Sequence, residues 1–454
     1  MALIELDLTA QPEPAPSSPP PAHRYRISGL ILAAVLVIAL GASAPAEPVL
    51  WRYLGAVPVT RGLGEPFELA GGRAYTMAEI GSGRDVTSWS LAEPPEQAWK
   101  TRYQLPEENP DDLGYGGFHV DQAGDVVLTS HGPITTVLDR HSGQTRWSVP
   151  MAVTPLAGGR IGLIQEPRFR PGTVYDQESG DPGALYFTAS GEPHVEPPAR
   201  TDLRGVDLYT GATVWTAGAA GSVIAATAPG DRPAVLLLSS DGLERIDGVT
   251  GKVLRRTVLP EVDGRAPVSG ELVGDLMMIY YHNTDGYLTY EAAYSPETLA
   301  PAWTRQVRQV LVQQAVCSGL SCADAPAGLQ VLDPATGKPL WQAPAGIDVA
   351  LYGDYVLETE NQSGEPVRLV DLSTGATRVD LRGWRAQVPG PPGRPIVLRR
   401  GLDGGVSAFG LVDPDRGTVQ VLGTTGMPIS DCSSDTRRVV CRADDSLRIW
   451  AYRG

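Results

Sequence analysis

Leu332-Asp333-Pro334-Ala335-Thr336-Gly337-Lys338-Pro339-Leu340-Trp341 recurs, with changes, along most of the chain. Leu138-Asp139-Arg140-His141-Ser142-Gly143-Gln144-Thr145-Arg146-Trp147 and Val206-Asp207-Leu208-Tyr209-Thr210-Gly211-Ala212-Thr213-Val214-Trp215 are its other regular copies. Weaker copies run from Ile246-Asp247 to Gly251 with Leu254 in the tryptophan's place, from Val370-Asp371 to Gly375 with Val379, and from Val412-Asp413 to Gly417 with Val419. Two more run from Tyr294-Ser295 to Trp303 and, least regularly, from Leu91 to Trp99, which makes eight turn units. Each residue type has a physical task. The Asp starts a turn and its carboxylate accepts backbone N–H groups two residues on. The Gly supplies the positive φ of a tight hairpin loop. The Trp, on the return strand, buries a large flat surface.

Apolar runs such as Val126-Val127-Leu128, Ala234-Val235-Leu236-Leu237-Leu238 and Ile396-Val397-Leu398 precede the turns. Each unit therefore reads strand, strand, Asp-turn-Gly, strand. The turn glycines stand at 143, 211, 251, 337, 375 and 417, at intervals clustering near 40 residues, the length of a four-stranded propeller blade. The longer step from 143 to 211 holds a Pro-, Gly- and charge-rich stretch, residues 166–202, read as an inserted surface loop. The 86-residue step from 251 to 337 spans two units, with the Trp303 copy inside it. The expectation is an all-β propeller over residues 70–454 with eight blades, seven or nine being the alternatives. Residues 47–69 read as a linker, with Leu54–Val59 a candidate strand to complete the last blade and remove an open sheet edge.

The run apolar-Asp-x-x-Thr-Gly-x-x-x-Trp resembles the quinoprotein-type, or PQQ-like, propeller repeat, over roughly residues 70–454. In PQQ-dependent dehydrogenases that resemblance implies a quinone stacked on a Trp, a calcium ion and a disulfide between adjacent cysteines. This chain has no adjacent cysteines and no matching calcium-ligand motif, so no cofactor is expected. Similar rings include the propeller lipoprotein of the outer-membrane barrel assembly machinery, a scaffold; this chain lacks a lipid-attachment Cys near its apolar segment.

Residues 1–26 are polar and proline-rich and cannot bury enough apolar surface to order themselves. Residues 27–46 carry no charge and include nine Leu, Ile and Val, enough to span a bilayer as one helix. Arg24 and Arg26 flank the N-terminal side, which places the tail in the cytoplasm and the ring outside. Cleavage after Ala46, in Ala44-Pro45-Ala46, is the rival reading. Both put the ring in an oxidising compartment, where Cys317 with Cys322 and Cys432 with Cys441 are expected to form local disulfides. A zinc site of four thiolates is the alternative, but eight residues separate Cys432 and Cys441, wider than common zinc spacings.

Gly 52 and Pro 40 make up about a fifth of the 454 residues, which disfavours a helix bundle. Only three of the 37 basic residues are Lys, an Arg bias typical of a GC-rich bacterial genome. A net charge of −15 offers nothing to phosphates, so nucleic acid is excluded as a partner. The six histidines have no zincin spacing; His131 and His141 flank one hairpin and are candidates to meet across it. Asp121–Asp125 and Asn283–Gly286 resemble fragments of calcium loops without the closing Glu and read as turns. Asp139, Asp207, Asp333, Asp371 and Asp413 share one repeat position, as structural turn residues do. No catalytic, cofactor or metal residue is assigned. The resulting expectation is a non-enzymatic, single-pass membrane protein whose ring binds a protein partner at its loops or its mouth. The alternatives are a small-molecule sensor signalling through the tail and a PQQ-dependent oxidoreductase.

Overall fold

The structure, a computed structural model, describes residues 29–33, 51–59, 65–80, 83–104, 117–176, 178, 180, 185–189, 191–228, 232–267, 269–282, 288–307, 316–390 and 396–453. The chain divides into two units, Met1–Val49 and Leu50–Gly454. In the first, residues 29–33 form a turn of exposed helix. The tail at 1–26 and most of the apolar run at 27–46 lie outside the described residues. Among the described residues no helix is long and apolar enough to cross a membrane.

The second unit is a ring of nine blades rather than eight. Blade 1 comprises Phe67–Ala70, Arg73–Ile80, Gly83–Ser90 and Glu96–Gln104, from inner to outer strand. Blade 2 comprises Phe118–Ala123, Val126–His131, Ile134–Asp139 and Thr145–Val149. Blade 3 comprises Thr154–Pro155, Ile161–Arg168, Arg200–Asp207 and Thr213–Ala220. Blade 4 comprises Ile224–Thr227, Ala234–Ser239, Gly242–Asp247 and Val253–Thr257. Blade 5 comprises Ser269–Val273, Leu276–His282, Leu288–Tyr294 and Pro301–Gln306. Blade 6 shows three strands among the described residues, Cys322–Ala325, Gly328–Leu332 and Pro339–Gln342. Blade 7 comprises Ile347–Tyr352, Tyr355–Glu360, Pro366–Asp371 and Thr377–Asp380, and Cys317–Ser318 adds a short parallel strand to its inner edge. Blade 8 comprises Ala386–Val388, Val397–Gly401, Ser407–Asp413 and Thr418–Thr424.

Blade 9 explains the miscount. Its first three strands, Ser430–Ser434, Arg438–Ala443 and Ser446–Tyr452, come from the C-terminal end, and its outer strand, Trp51–Pro58, comes from the N-terminal side. The third and outer strands are joined by no turn, so this blade carries no Asp-Gly signal and eight turn units make nine blades. Trp51 pairs with Tyr452 and Pro58 with Ser446. Phe67–Ala70 touches Ser430–Ser434, which closes the ring. The loop expected at 166–202 is an excursion between the second and third strands of blade 3, tipped by a small hairpin, Tyr186–Phe187 with Pro193–His194.

The core lies between blades, where sheets pack face to face. Leu163, Leu203 and Trp215 of blade 3 meet Val235, Leu237 and Ile246 of blade 4. Val57, Val440 and Ile449 of blade 9 meet Ala74, Trp89 and Leu91 of blade 1.

Candidate interaction surfaces

The turn acids bind their own loops. Asp139 Oδ1 accepts the N–H of His141 and Ser142 and the Ser142 hydroxyl at 2.8–3.1 Å. Asp207, Asp247 and Asp371 repeat this pattern with Thr210, Thr250 and Thr374. Hydrogen bonds from Arg146 and then Ser142 hold the Asp139 carboxyl well below the usual carboxylate range. Those from the Thr336 hydroxyl and the Ala335 N–H lower the pKa of Asp333 as well. The N–H of Gly143, Gly211, Gly337 and Gly375 closes each loop onto the carbonyl of its Asp at 2.8–2.9 Å.

The tryptophans bind the next blade. Each indole Nε1–H donates to the carbonyl that follows the turn Asp of the neighbouring blade. The pairs are Trp99 to Arg140 at 2.8 Å, Trp147 to Leu208 at 2.9 Å and Trp215 to Gly248 at 2.9 Å. Trp303 to Pro334 and Trp341 to Leu372, both at 2.8 Å, continue the series. The same indoles lie under the turn glycines. A Cβ on Gly143 falls 2.5 Å from Trp99, one on Gly337 2.6 Å from Trp303 and one on Gly375 2.7 Å from Trp341. The Gly is therefore required twice, by its φ near +70° and by the ring beneath it. A one-residue bulge sets up the contact: Val137 faces Trp147 while Leu138 faces Thr145, so Arg146 is extra. The constant spacing from Asp to Trp is eight residues, which corrects two sequence alignments. Arg255, not Leu254, holds the tryptophan position in blade 4, and Val421, not Val419, holds it in blade 8.

The cysteines pair locally. Cys317 bonds Cys322, and Cys432 bonds Cys441 across the two inner strands of blade 9. His131 and His141 do not meet. They sit at opposite ends of the strand Ile134–Asp139; His131 lies 3.9 Å from Glu79 and His141 3.7 Å from Asp125. Asp121–Asp125 spans the end of an inner strand and the turn at Gly124, as expected of a turn, whereas Asn283–Gly286 lies outside the described residues.

Sequence reasoning missed the carboxylates buried on the blades. Asp85 is held by Lys100 at 2.9 Å and Arg102 at 2.5 Å, Glu291 by Arg305 at 2.5 Å, and Glu358 by Arg368 at 2.6 Å. The only signal is cross-strand register, as in Glu291 opposite Arg305. Glu68 of blade 1 reaches across to blade 2, accepting the Val120 N–H at 2.5 Å and contacting His119 Nδ1 at 3.2 Å. Burial opposes protonation of His119, but Glu68 and Asp121 outweigh it and raise its pKa.

Two cavities of about 490 Å³ open near the inner strands. One lies between blades 5 and 6, lined by Glu271, Tyr280, Leu288, Glu291, Leu320 and Asp324. The other runs from blade 8 to blade 2, beside Phe67, Glu68, His119, Asp431 and Ser434. The residues do not fit the quinone and calcium that the repeat suggests. The five indoles that bond a neighbouring blade are committed to the joints, and among the described residues no three His, Cys, Asp or Glu stand close enough to hold a metal ion.

The two faces of the ring differ. Asp turns and first-to-second-strand turns share one face, and the chain enters the ring there, at Trp51 opposite Tyr452. The excursion at 169–199 is on the other face, with Phe187 exposed at its tip.

Residues 199–394 match the family described as "Outer membrane protein assembly factor BamB", of PQQ-like repeats. No curated protein matches the sequence. Among solved structures, BamB from Moraxella catarrhalis is 16% identical, over 89% of this chain and 98% of that one, with a TM-score of 0.38. Sqt1 of Saccharomyces cerevisiae is 9% identical, over 89% and 99%, with a TM-score of 0.42. The chain is a β-propeller, and the PQQ-like repeat match falls on residues 199–394 of it.

Proposed function

We propose that this chain is a membrane-anchored, extracytoplasmic propeller that acts as a protein-interaction scaffold without catalysis of its own. The observation that carries the reading is the use made of the recurring residues. The Asp, Gly and Trp of the repeat bind each other, within loops and between blades, and so build a ring frame whose joints leave the excursion on the opposite face uncommitted. The family description over residues 199–394 names an assembly factor, which agrees with a scaffold. The charge-free run at 27–46 behind Arg24 and Arg26 supports an anchor with the ring outside. Two formed disulfides suit that compartment. The loop face, opposite the point where the chain enters, is the face we assign to the partner.

The test is crosslinking of the intact protein in its native membrane, followed by identification of what copurifies. A fixed envelope protein is expected, kept when residues 1–26 are deleted and lost when 169–199 are replaced by a short Gly-Ser linker. A partner that depends on the tail instead contradicts the scaffold. The cavity between blades 5 and 6 favours a second reading, a small-molecule sensor. A stoichiometric small molecule retained without any protein partner would replace the first reading by the second.

A further inference from the structure

The Trp-to-carbonyl bonds between blades are unevenly spread around the ring. Five joints carry the Trp-to-carbonyl bond described above, those from blade 1 to 4 and from 5 to 7. The joint from blade 4 to blade 5 lacks it, because Arg255 occupies the tryptophan position and is exposed. A substitute is built from other residues. Arg245, which faces Arg255 across the strand pair, donates from Nη1 to the Pro296 carbonyl at 2.8 Å. Pro296 follows the turn residue Ser295, so this is the carbonyl an indole would take in the other joints. Leu299 stands where the turn Gly stands elsewhere. It keeps the turn's positive φ, +57°, and is 3% exposed, filling the space an indole would fill, against Leu243, Leu259 and Tyr294. Leu299 and Arg245 thus stand in for the Gly and Trp of the other joints, and blades 1 to 7 form one continuous bonded arc.

The remaining three joints surround blades 8 and 9, and among the described residues none has the Trp-to-carbonyl bond; blades 8 and 9 are joined at their inner strands, where the Ser434 N–H donates to the Pro389 carbonyl at 2.7 Å. At the joint from blade 7 to 8, Val379 takes the tryptophan position and Trp384 packs instead on Gly410, away from the turn. Blade 9 has no third-to-outer turn to receive a bond. Between blades 9 and 1 the second strand of blade 9 is tied by Arg438, which donates to the Gly72 carbonyl at 3.4 Å, and by Arg442, which donates to the Glu65 carbonyl, whereas the outer strand contributes the ion pair of Arg52 with Glu93, exposed on both sides and weak for that reason. Trp51 stacks back on Phe409 of blade 8, and its Nε1 is buried without a hydrogen-bond partner among the described residues. An unpartnered buried N–H is costly to leave unmade. The Cys432–Cys441 bond secures the two inner strands of blade 9 and leaves its outer strand untied.

We infer that the ring opens at blade 9, by release of Trp51–Pro58 from Ser446–Tyr452, while blades 1 to 7 stay joined.

Hydrogen exchange read by mass spectrometry on the full chain in detergent tests this. Peptides spanning 51–58 and 446–452 are expected to take up deuterium at least tenfold faster than those spanning 134–149, 200–217 and 328–342. Equal protection throughout, or first opening within 242–257 or 288–306, overturns the inference. Leu299→Gly is expected to add a second fast-opening region at blades 4 and 5. An unchanged pattern in that variant overturns the substitute joint, and with it the continuous arc.

Discussion

Gly337 shows how one residue is fixed by two demands. Its φ is +67° and the face of Trp303 leaves no room for a Cβ. Gly337→Ala therefore adds backbone strain to a steric clash, and the expected cost is about 1–3 kcal/mol in denaturant unfolding. A neutral result would show that the indole is free to move aside. Asp85 gives the pH-dependent counterpart. It is 2% exposed, and the Arg102 hydrogen bond, opposed by burial and aided by Lys100, lowers its pKa to about 2. A carboxylate whose pKa falls on folding stabilises fully above its unfolded value near 3.9 and loses that contribution as pH drops towards 2. The expected contribution is about 2 kcal/mol, and Asp85→Asn should flatten stability against pH between about 4 and 2. A variant with the same slope as the parent removes Asp85 from the account. The turn Asp, Gly and Trp were legible in the sequence because they are local and repeated. Asp85 was not, since its partners are identified only by strand register.

At the scale of the element, the hairpin carrying the Asp turn was readable wherever the spacing of eight residues held Asp and Trp together. It misled at Leu254 and Val419, where hydrophobicity was followed in place of spacing. The joint between blades 4 and 5 was invisible to sequence because its parts lie on different blades: Arg245 on one, Pro296 and Leu299 on the next. The disulfides belong to this scale too. Each closes a short loop, and such a crosslink contributes about 2–3 kcal/mol through the unfolded chain. Reduction is expected to lower the melting temperature of the purified protein without any zinc being bound. Stoichiometric zinc in the protein as isolated would contradict the pairing of Cys317 with Cys322 and Cys432 with Cys441.

For the whole molecule, the decisive fact is that the first strand of the ring, Trp51–Pro58, joins its last three in one blade. Repeat counting gave eight units because the ninth has no turn to count, although an N-terminal strand was expected to close the ring. The function rests on the same ring, since loops become a binding surface only when a rigid frame holds them. The closure is tested most directly by a pair of cysteines, Ala56→Cys with Arg448→Cys, placed at facing positions in the register. After mild oxidation and digestion, mass spectrometry is expected to find the peptides around 56 and 448 joined within a single chain. Failure to join, or joining only between two copies, would contradict a ring closed by its own N-terminal strand.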